Sequence, residues 1–272
     1  MVLERHRLTL SLLAVLAWGL VTAFPLLLPH PLVPIETAVA DGIAYNVLFA
    51  AVALLGVAGG LKWTDLGFNA PRSWKSLWLL WLPGLYLVLF YSIDIMVGFP
   101  PMPTVMILFV NTLLVGISEE LAFRGVMYRG LRTRLGMWPS VLITSVAFGA
   151  IHVLNTLATG NLMIAAAQAL AATMTGVMLM ALVIRTGSII PAIVLHALWD
   201  FGSIVAALAA AGQVDSAAAG GAAIPEIPAL AYLAPALLIL PNLLYGLFLL
   251  RKRRTADIEP PVRLSAVPAA QG

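Results

Sequence analysis

Glu119 and Glu120 stand side by side in an apolar run, with Arg124 four residues on and His152, His196 and Asp200 in later apolar runs. These are the side chains of acid–base chemistry near neutral pH. A carboxylate takes a proton from water, an imidazole shares or donates one, and the same groups can ligate a metal or relay protons. Taken singly, each has a plainer account: Glu120 with Arg124 as a structural ion pair, His152 as a satisfied core histidine, His196 with Asp200 as polar glue between helices. Ionisable groups at membrane depth cost at least ~2.5 kcal/mol each even on the mildest insertion scales. Their concentration in three apolar runs therefore marks a functional site.

The elements that must position them are membrane helices. The chain is 61% hydrophobic and only 10% charged, whereas roughly a quarter of an average soluble domain is charged. It has no cysteine, which excludes a thiol nucleophile, a disulfide framework and a cysteine-ligated metal. Apolar stretches near the ~20 residues that span a bilayer occur about eight times, at roughly 8–28, 42–61, 76–97, 103–123, 138–157, 161–184, 188–211 and 228–250. Breaks fall at His30-Pro31, between Gly98 and Pro103, at Gly160, at Gly187 and in the Ala/Gly-rich stretch from Gln213 to Pro228. The expected fold is an all-α polytopic membrane protein of about eight helices. One integral membrane domain covers 1–254, and 255–272, with Pro260 and Pro261, reads as a disordered tail. The first segment has no small-residue cleavage site after it and reads as an uncleaved helix. Asp94, near the end of the third segment, reads as interfacial.

All fifteen Lys and Arg residues fall before segment 1, between 2 and 3, at and after the end of 4, between 6 and 7, or after 8. Positive residues stay cytoplasmic, so both termini are expected in the cytoplasm of a multi-pass plasma-membrane protein. The run Arg251 to Arg254 stops translocation and meets anionic lipid; a net charge of +3 calls for no nucleic acid. With a rise of ~1.5 Å per residue, Glu119 lies ~15 Å, His152 ~20 Å, His196 ~16 Å and Asp200 ~22 Å from the basic face, a common layer near the middle of a ~30 Å core. Positions four apart share a helix face, so Glu120 meets Arg124, Phe148 lies beneath His152, and His196 stacks with Asp200. Adjacent residues differ by ~100° around a helix; one of Glu119 and Glu120 faces the pocket while Arg124 holds the other.

The motifs Glu119-Glu120-Leu121-Ala122-Phe123-Arg124, Phe148-Gly149-Ala150-Ile151-His152 and His196-Ala197-Leu198-Trp199-Asp200 resemble the CPBP family, the CAAX prenyl endopeptidases and bacteriocin-processing enzymes also called Abi. That family carries EExxxR, FxxxH and HxxxN/D in this order on an all-helical membrane fold. The motif core runs from Thr104 to Asp200, and Leu66-Gly67-Phe68 resembles a recurrent tripeptide of the family. The resemblance implies an intramembrane endopeptidase acting on a peptide or protein. By analogy Glu119 is the general base and His152 orients the water. His196 and Asp200 line the oxyanion side, with Asp200 either protonated or orienting His196, and Arg124 fixes Glu120. The resemblance points to a glutamate-based hydrolase without cofactor; a Zn ion, if bound, would draw on Glu119, His152 and His196.

Rival chemistries leave traces that are missing. The chain contains no GxSG, no HExxH and no GxGD with a Tyr-Asp pair, which removes the rhomboid, site-2 and aspartyl types of intramembrane protease. A proton-coupled transporter would show inverted repeats with broken helices; no internal repeat is seen. A non-catalytic immunity or scaffold protein of the same fold is separated from an enzyme only by activity. Prenyl-protein, immunity and sorting-tag processing are alternative settings, and the short loops and Ala-rich composition read as prokaryotic.

The Lys/Arg distribution predicts that an alkaline phosphatase fusion placed after Ala211 is active in cells, whereas fusions within 62–75 are inactive. An inactive fusion after Ala211 contradicts this topology.

Overall fold

A computed structural model describes residues 6–219 and 233–251, and these form helices with no strand. In chain order they are α1 (Arg7–Leu27), α2 (Ile35–Ala40), α3 (Tyr45–Gly60), α4 (Trp74–Val97), α5 (Met102–Arg132), α6 (Met137–Thr159), α7 (Leu162–Thr186), α8 (Ile190–Ala219) and α9 (Ala234–Leu249). Each of the eight expected apolar segments is a helix. Six are long and apolar enough to cross a bilayer. The other two, α3 and α9, have 16 residues each and so reach only ~24 Å. With such helices the chain is an integral membrane protein. The proposed tail, 255–272, lies outside the described residues.

Turn chemistry accounts for the boundaries. Pro101 and Pro103 start α5, where a missing N–H costs nothing. Asn161 caps α7, its side chain accepting from the Ile164 N–H at 3.1 Å. The expected end of the fourth segment near 123 is corrected: α5 continues through Arg124 to Arg132. Arg124 does not stop the helix because its charge is matched inside the protein rather than in solvent.

The bundle has two distinct ends. At one, Arg7 pairs with Asp65 at 2.5 Å, the Arg72 N–H donates to the Thr186 carbonyl at 2.9 Å, and the Ile189 N–H donates to the Gly67 carbonyl at 3.0 Å. Gly67 holds φ +92°, and a Cβ there would lie 3.0 Å from Ile189 Cγ2, so the Leu66-Gly67-Phe68 turn docks only as glycine. Apart from the buried Arg124, every described Lys and Arg belongs to this end. At the other end, the Val33 N–H bonds to the Ala158 carbonyl at 3.0 Å. There the Asn111 side chain accepts from the Ala44 N–H at 2.9 Å and donates to the carbonyls of Val39 and Gly42 at 2.8 and 2.7 Å.

Close packing is concentrated in the charged half. Residues 176–184 of α7 are buried, with Tyr128, Val141, Ile189, Leu249 and Leu250 around them. Asp94, three residues from the end of α4, is fully buried. Its helix lies against Gly202 of α8, where the missing side chain lets Phe90, Tyr91 and Asp94 close over the backbone. Neither Asp94 carboxylate oxygen has a partner.

The α6–α7 crossing holds His152 in place and is very tight. A Cβ on Gly149 would stand 1.9 Å from Thr173 Oγ1 and 2.5 Å from the Ala169 carbonyl oxygen. The hydroxyl can rotate away, but the helix backbone cannot. Gly149→Ala is expected to cost about 1–3 kcal/mol, read as a lower melting temperature in detergent. Gly56→Ala, with nothing within 4 Å, should leave it unchanged.

Candidate active site

The site is built on a local departure from α-geometry. From Leu121 to Met127 α5 widens into a π-helix, with the Tyr128 N–H bonded to the Phe123 carbonyl five residues back. All seven residues of this turn are buried. Such turns re-aim side chains and recur at functional sites. Here the wide turn directly follows Glu119 and Glu120 and carries Arg124 inward. The helix is anchored beside them by α1: Trp18 Nε1 donates to Ser118 Oγ at 2.8 Å, and its ring meets Phe123 edge-on at 5.4 Å.

Glu120 and Arg124 are both fully buried. Arg124 donates through NH1 to Glu120 Oε1 at 2.9 Å and through NH2 to the Gly176 carbonyl at 3.3 Å. The same Glu120 oxygen accepts from His196 Nδ1 at 3.0 Å. Glu120 therefore joins the guanidinium to the imidazole, a role beyond the pairing with Arg124 that spacing alone indicates. The other face of the His196 ring looks at two more carboxylates, with Nε2 3.4 Å from Asp200 Oδ2 and 3.8 Å from Glu119 Oε2.

Both ring nitrogens of His196 thus face carboxyl oxygens, and the Arg124 guanidinium meets the same cluster from the Glu120 side. Glu119 is mostly buried, and its Oε2 has no hydrogen-bond partner. His152, on α6, holds its Nδ1 2.9 Å from the Phe148 carbonyl. A carbonyl can only accept, so Nδ1 carries a proton.

Phe148 is the hub of this constellation. Its ring meets Phe123, His152 and His196 edge-on at 5.3, 5.3 and 5.7 Å, and the Arg124 guanidinium lies over it at 4.2 Å. A cation over a dry ring face is favourable. One apolar side chain thus fixes both histidines and the buried arginine.

His152, His196, Asp200 and Phe148 line a half-open cavity of about 880 Å³. Glu119 reaches His196 from the same Nε2 side as Asp200, while Glu120 holds the opposite nitrogen. The structure thus brings together all the side chains singled out in the sequence: Glu119, Glu120, Arg124, Phe148, His152, His196 and Asp200. It adds an amide pair that motif spacing passes over, Asn155 on α6 and Gln168 on α7, bonded Nδ2 to Oε1 at 2.8 Å. A polar amide in each of two apolar runs is a readable signal, but their contact crosses helices. Among the described residues, no three His, Asp or Glu side chains are grouped in a metal-holding arrangement.

Residues 101–202 match the family model described as type II CAAX prenyl endopeptidase Rce1-like. That span contains the three motifs in full and agrees with the resemblance they carry. No curated protein and no solved structure matches the chain.

Breaking a buried pair by removing one partner costs ~3–5 kcal/mol, because the other charge is left uncompensated. Arg124→Met should therefore lower the yield of monodisperse protein and its melting temperature in detergent. Combining it with Glu120→Gln should recover much of that loss. A double variant as unstable as the sum of the singles would show that the pair is not coupled.

Proposed function

We propose that the chain is an intramembrane endopeptidase that hydrolyses a peptide bond with water activated by Glu119; the match of residues 101–202 to the Rce1-like CAAX endopeptidase model supports the class. The observation that carries this reading is the grouping of Glu119, His152, His196 and Asp200. Glu119 Oε2 lacks a hydrogen-bond partner, and His196 presents Nε2 between two carboxylates at a cavity wall.

In this reading the attacking water sits between Glu119 and His152. Glu119 takes one proton as the oxygen adds to the carbonyl carbon, and His152 orients the water through Nε2. Negative charge moves to the carbonyl oxygen, where the His196 Nε2–H donates to it. Donors preorganised in a dry site are worth far more than in water. Collapse of the tetrahedral intermediate breaks the C–N bond, and Glu119 returns its proton to the departing amine. The products are a carboxylic acid and a free amine, with Glu119 again ionised; the acid then passes its proton to the amine or to solvent. Glu120 is a positioning residue: it holds the His196 ring through Nδ1 and is itself held by Arg124. Asp200 faces Nε2 and keeps that proton on His196 until substrate arrives.

No step in this reading passes through a metal. The N-terminus, basic loops and C-terminus are assigned to the cytoplasmic side on the charge distribution, and the substrate is a peptide or protein segment.

The test uses purified protein in proteoliposomes with a mixture of quenched-fluorescent apolar peptides, product ends being read by mass spectrometry. General-base catalysis is worth ~10²- to 10⁴-fold, so Glu119→Gln should lower the rate by that factor while the folded protein elutes normally. His152→Ala and His196→Ala should be comparably damaging, and Asp200→Asn mild. A strong chelator should leave the wild-type rate largely intact. Near-normal cleavage by Glu119→Gln would overturn the mechanism, and loss on chelation restored by stoichiometric Zn would make the enzyme a metalloprotease.

A further inference from the structure

The cavity beside the histidines is not symmetric between the two ends of the bundle. Its deepest walls are Met178, Leu179 and Leu195, which stand ~8–12 Å from the charged-end turn between α7 and α8 by helical rise. Below them the protein is closed, because residues 177–184 together with Ile189, Leu249 and Leu250 are at most 4% exposed. From there the walls run the other way, through Thr175 and Gln168 to Ile35, Ile164, Ala234 and Pro235. Ile35 opens α2, Ile164 lies in the first turn of α7, and Ala234 opens α9, all at the end without Lys or Arg. His152 itself lies ~22 Å from the start of α6 at the charged end.

The wall chemistry is equally one-sided. Above the Asp200–His196 layer the lining residues are apolar or small, and none is charged. Gln168 is the polar exception on α7. Its Oε1 is occupied by Asn155 Nδ2 at 2.8 Å, which fixes the amide orientation and leaves its N–H₂ as the free donor at the wall. An extended peptide in such a channel needs its backbone carbonyls met, since an unpaired buried carbonyl is costly.

We propose that the substrate is an uncharged, apolar polypeptide segment that enters the site from the end of the bundle without Lys or Arg, with Gln168 donating to its backbone. By the charge rule that end is extracytoplasmic, which assigns the activity to exported or outer-leaflet peptides. The identity of the occupant rests on the endopeptidase reading, whereas the route of entry does not.

The experiment exploits the absence of cysteine from the chain. Single-cysteine variants Gln168→Cys and Thr175→Cys report on the cavity, with Asp41→Cys marking the charge-free end and Ser73→Cys the charged end. A membrane-impermeant maleimide is applied to intact cells and to everted vesicles. Both cavity variants should label from the same side as Asp41→Cys. Labelling from the Ser73→Cys side, or from neither side while denatured protein labels, overturns the route, whatever the proteolytic activity.

The occupant is tested on Thr175→Cys by protection in proteoliposomes. A ten-residue Leu/Ala peptide should slow labelling, and the same peptide with alternate lysines should not. Adding Gln168→Leu should raise the half-protecting concentration about fivefold, as expected for one lost hydrogen bond. Equal protection by the lysine peptide overturns the apolar class, and an unchanged half-protecting concentration removes Gln168 from the site.

Discussion

A single carboxylate oxygen, Glu120 Oε1, holds the centre of this molecule together. It accepts from Arg124 on its own helix and from His196 on α8, and both Glu120 and Arg124 are fully buried. A buried charge with its partners satisfied is tolerated; the same charge with one partner removed is not. The site geometry therefore inherits the intolerance of a buried ion pair. Movement of α8 away from α5 would leave Glu120 with Arg124 alone, so the distance between these helices is set electrostatically as well as by packing. At Gly116 a Cβ would lie 3.0 Å from the Ile193 carbonyl oxygen, and that close approach is what brings His196 within reach of Glu120.

Around that contact the protein uses shape rather than charge. Phe148 touches three rings and a guanidinium, and its helix can approach α7 only because Gly149 and Gly176 lack side chains at the crossing. The hydrophobic effect gives little help between membrane helices, since lipid is as apolar as leucine, and close backbone contact through small residues takes its place. The pattern fits a reaction centre in which the titrating groups must not drift while charge is moved among them.

Much of this is legible in the sequence because the relevant signals are local. The apolar runs, their Pro and Gly breaks and the i,i+4 relations of Glu120 with Arg124 and His196 with Asp200 depend on nothing beyond one helix. What escapes is whatever depends on a second helix. Arg124 reads as the end of a membrane segment, yet the Gly176 carbonyl and Phe148 ring of other helices let α5 run past it. The burial of Asp94 escapes because the glycine against it, Gly202, lies on α8. The bond from Glu120 to His196 and that from Asn155 to Gln168 are invisible for the same reason. The π-turn escapes too, since Leu121 to Met127 looks like ordinary helix former sequence and the widening follows from how its buried side chains pack.

The brevity of α3 and α9 has a consequence for the lipid around the protein. Helices of ~24 Å are shorter than a ~30 Å hydrocarbon core, and a bilayer meets such a mismatch by thinning locally. Because residues of α9 line one wall of the cavity, such thinning would fall on the side where that wall meets lipid. Lipids with longer acyl chains would oppose the dimple, so the same protein would sit more comfortably in a thin membrane than in a thick one.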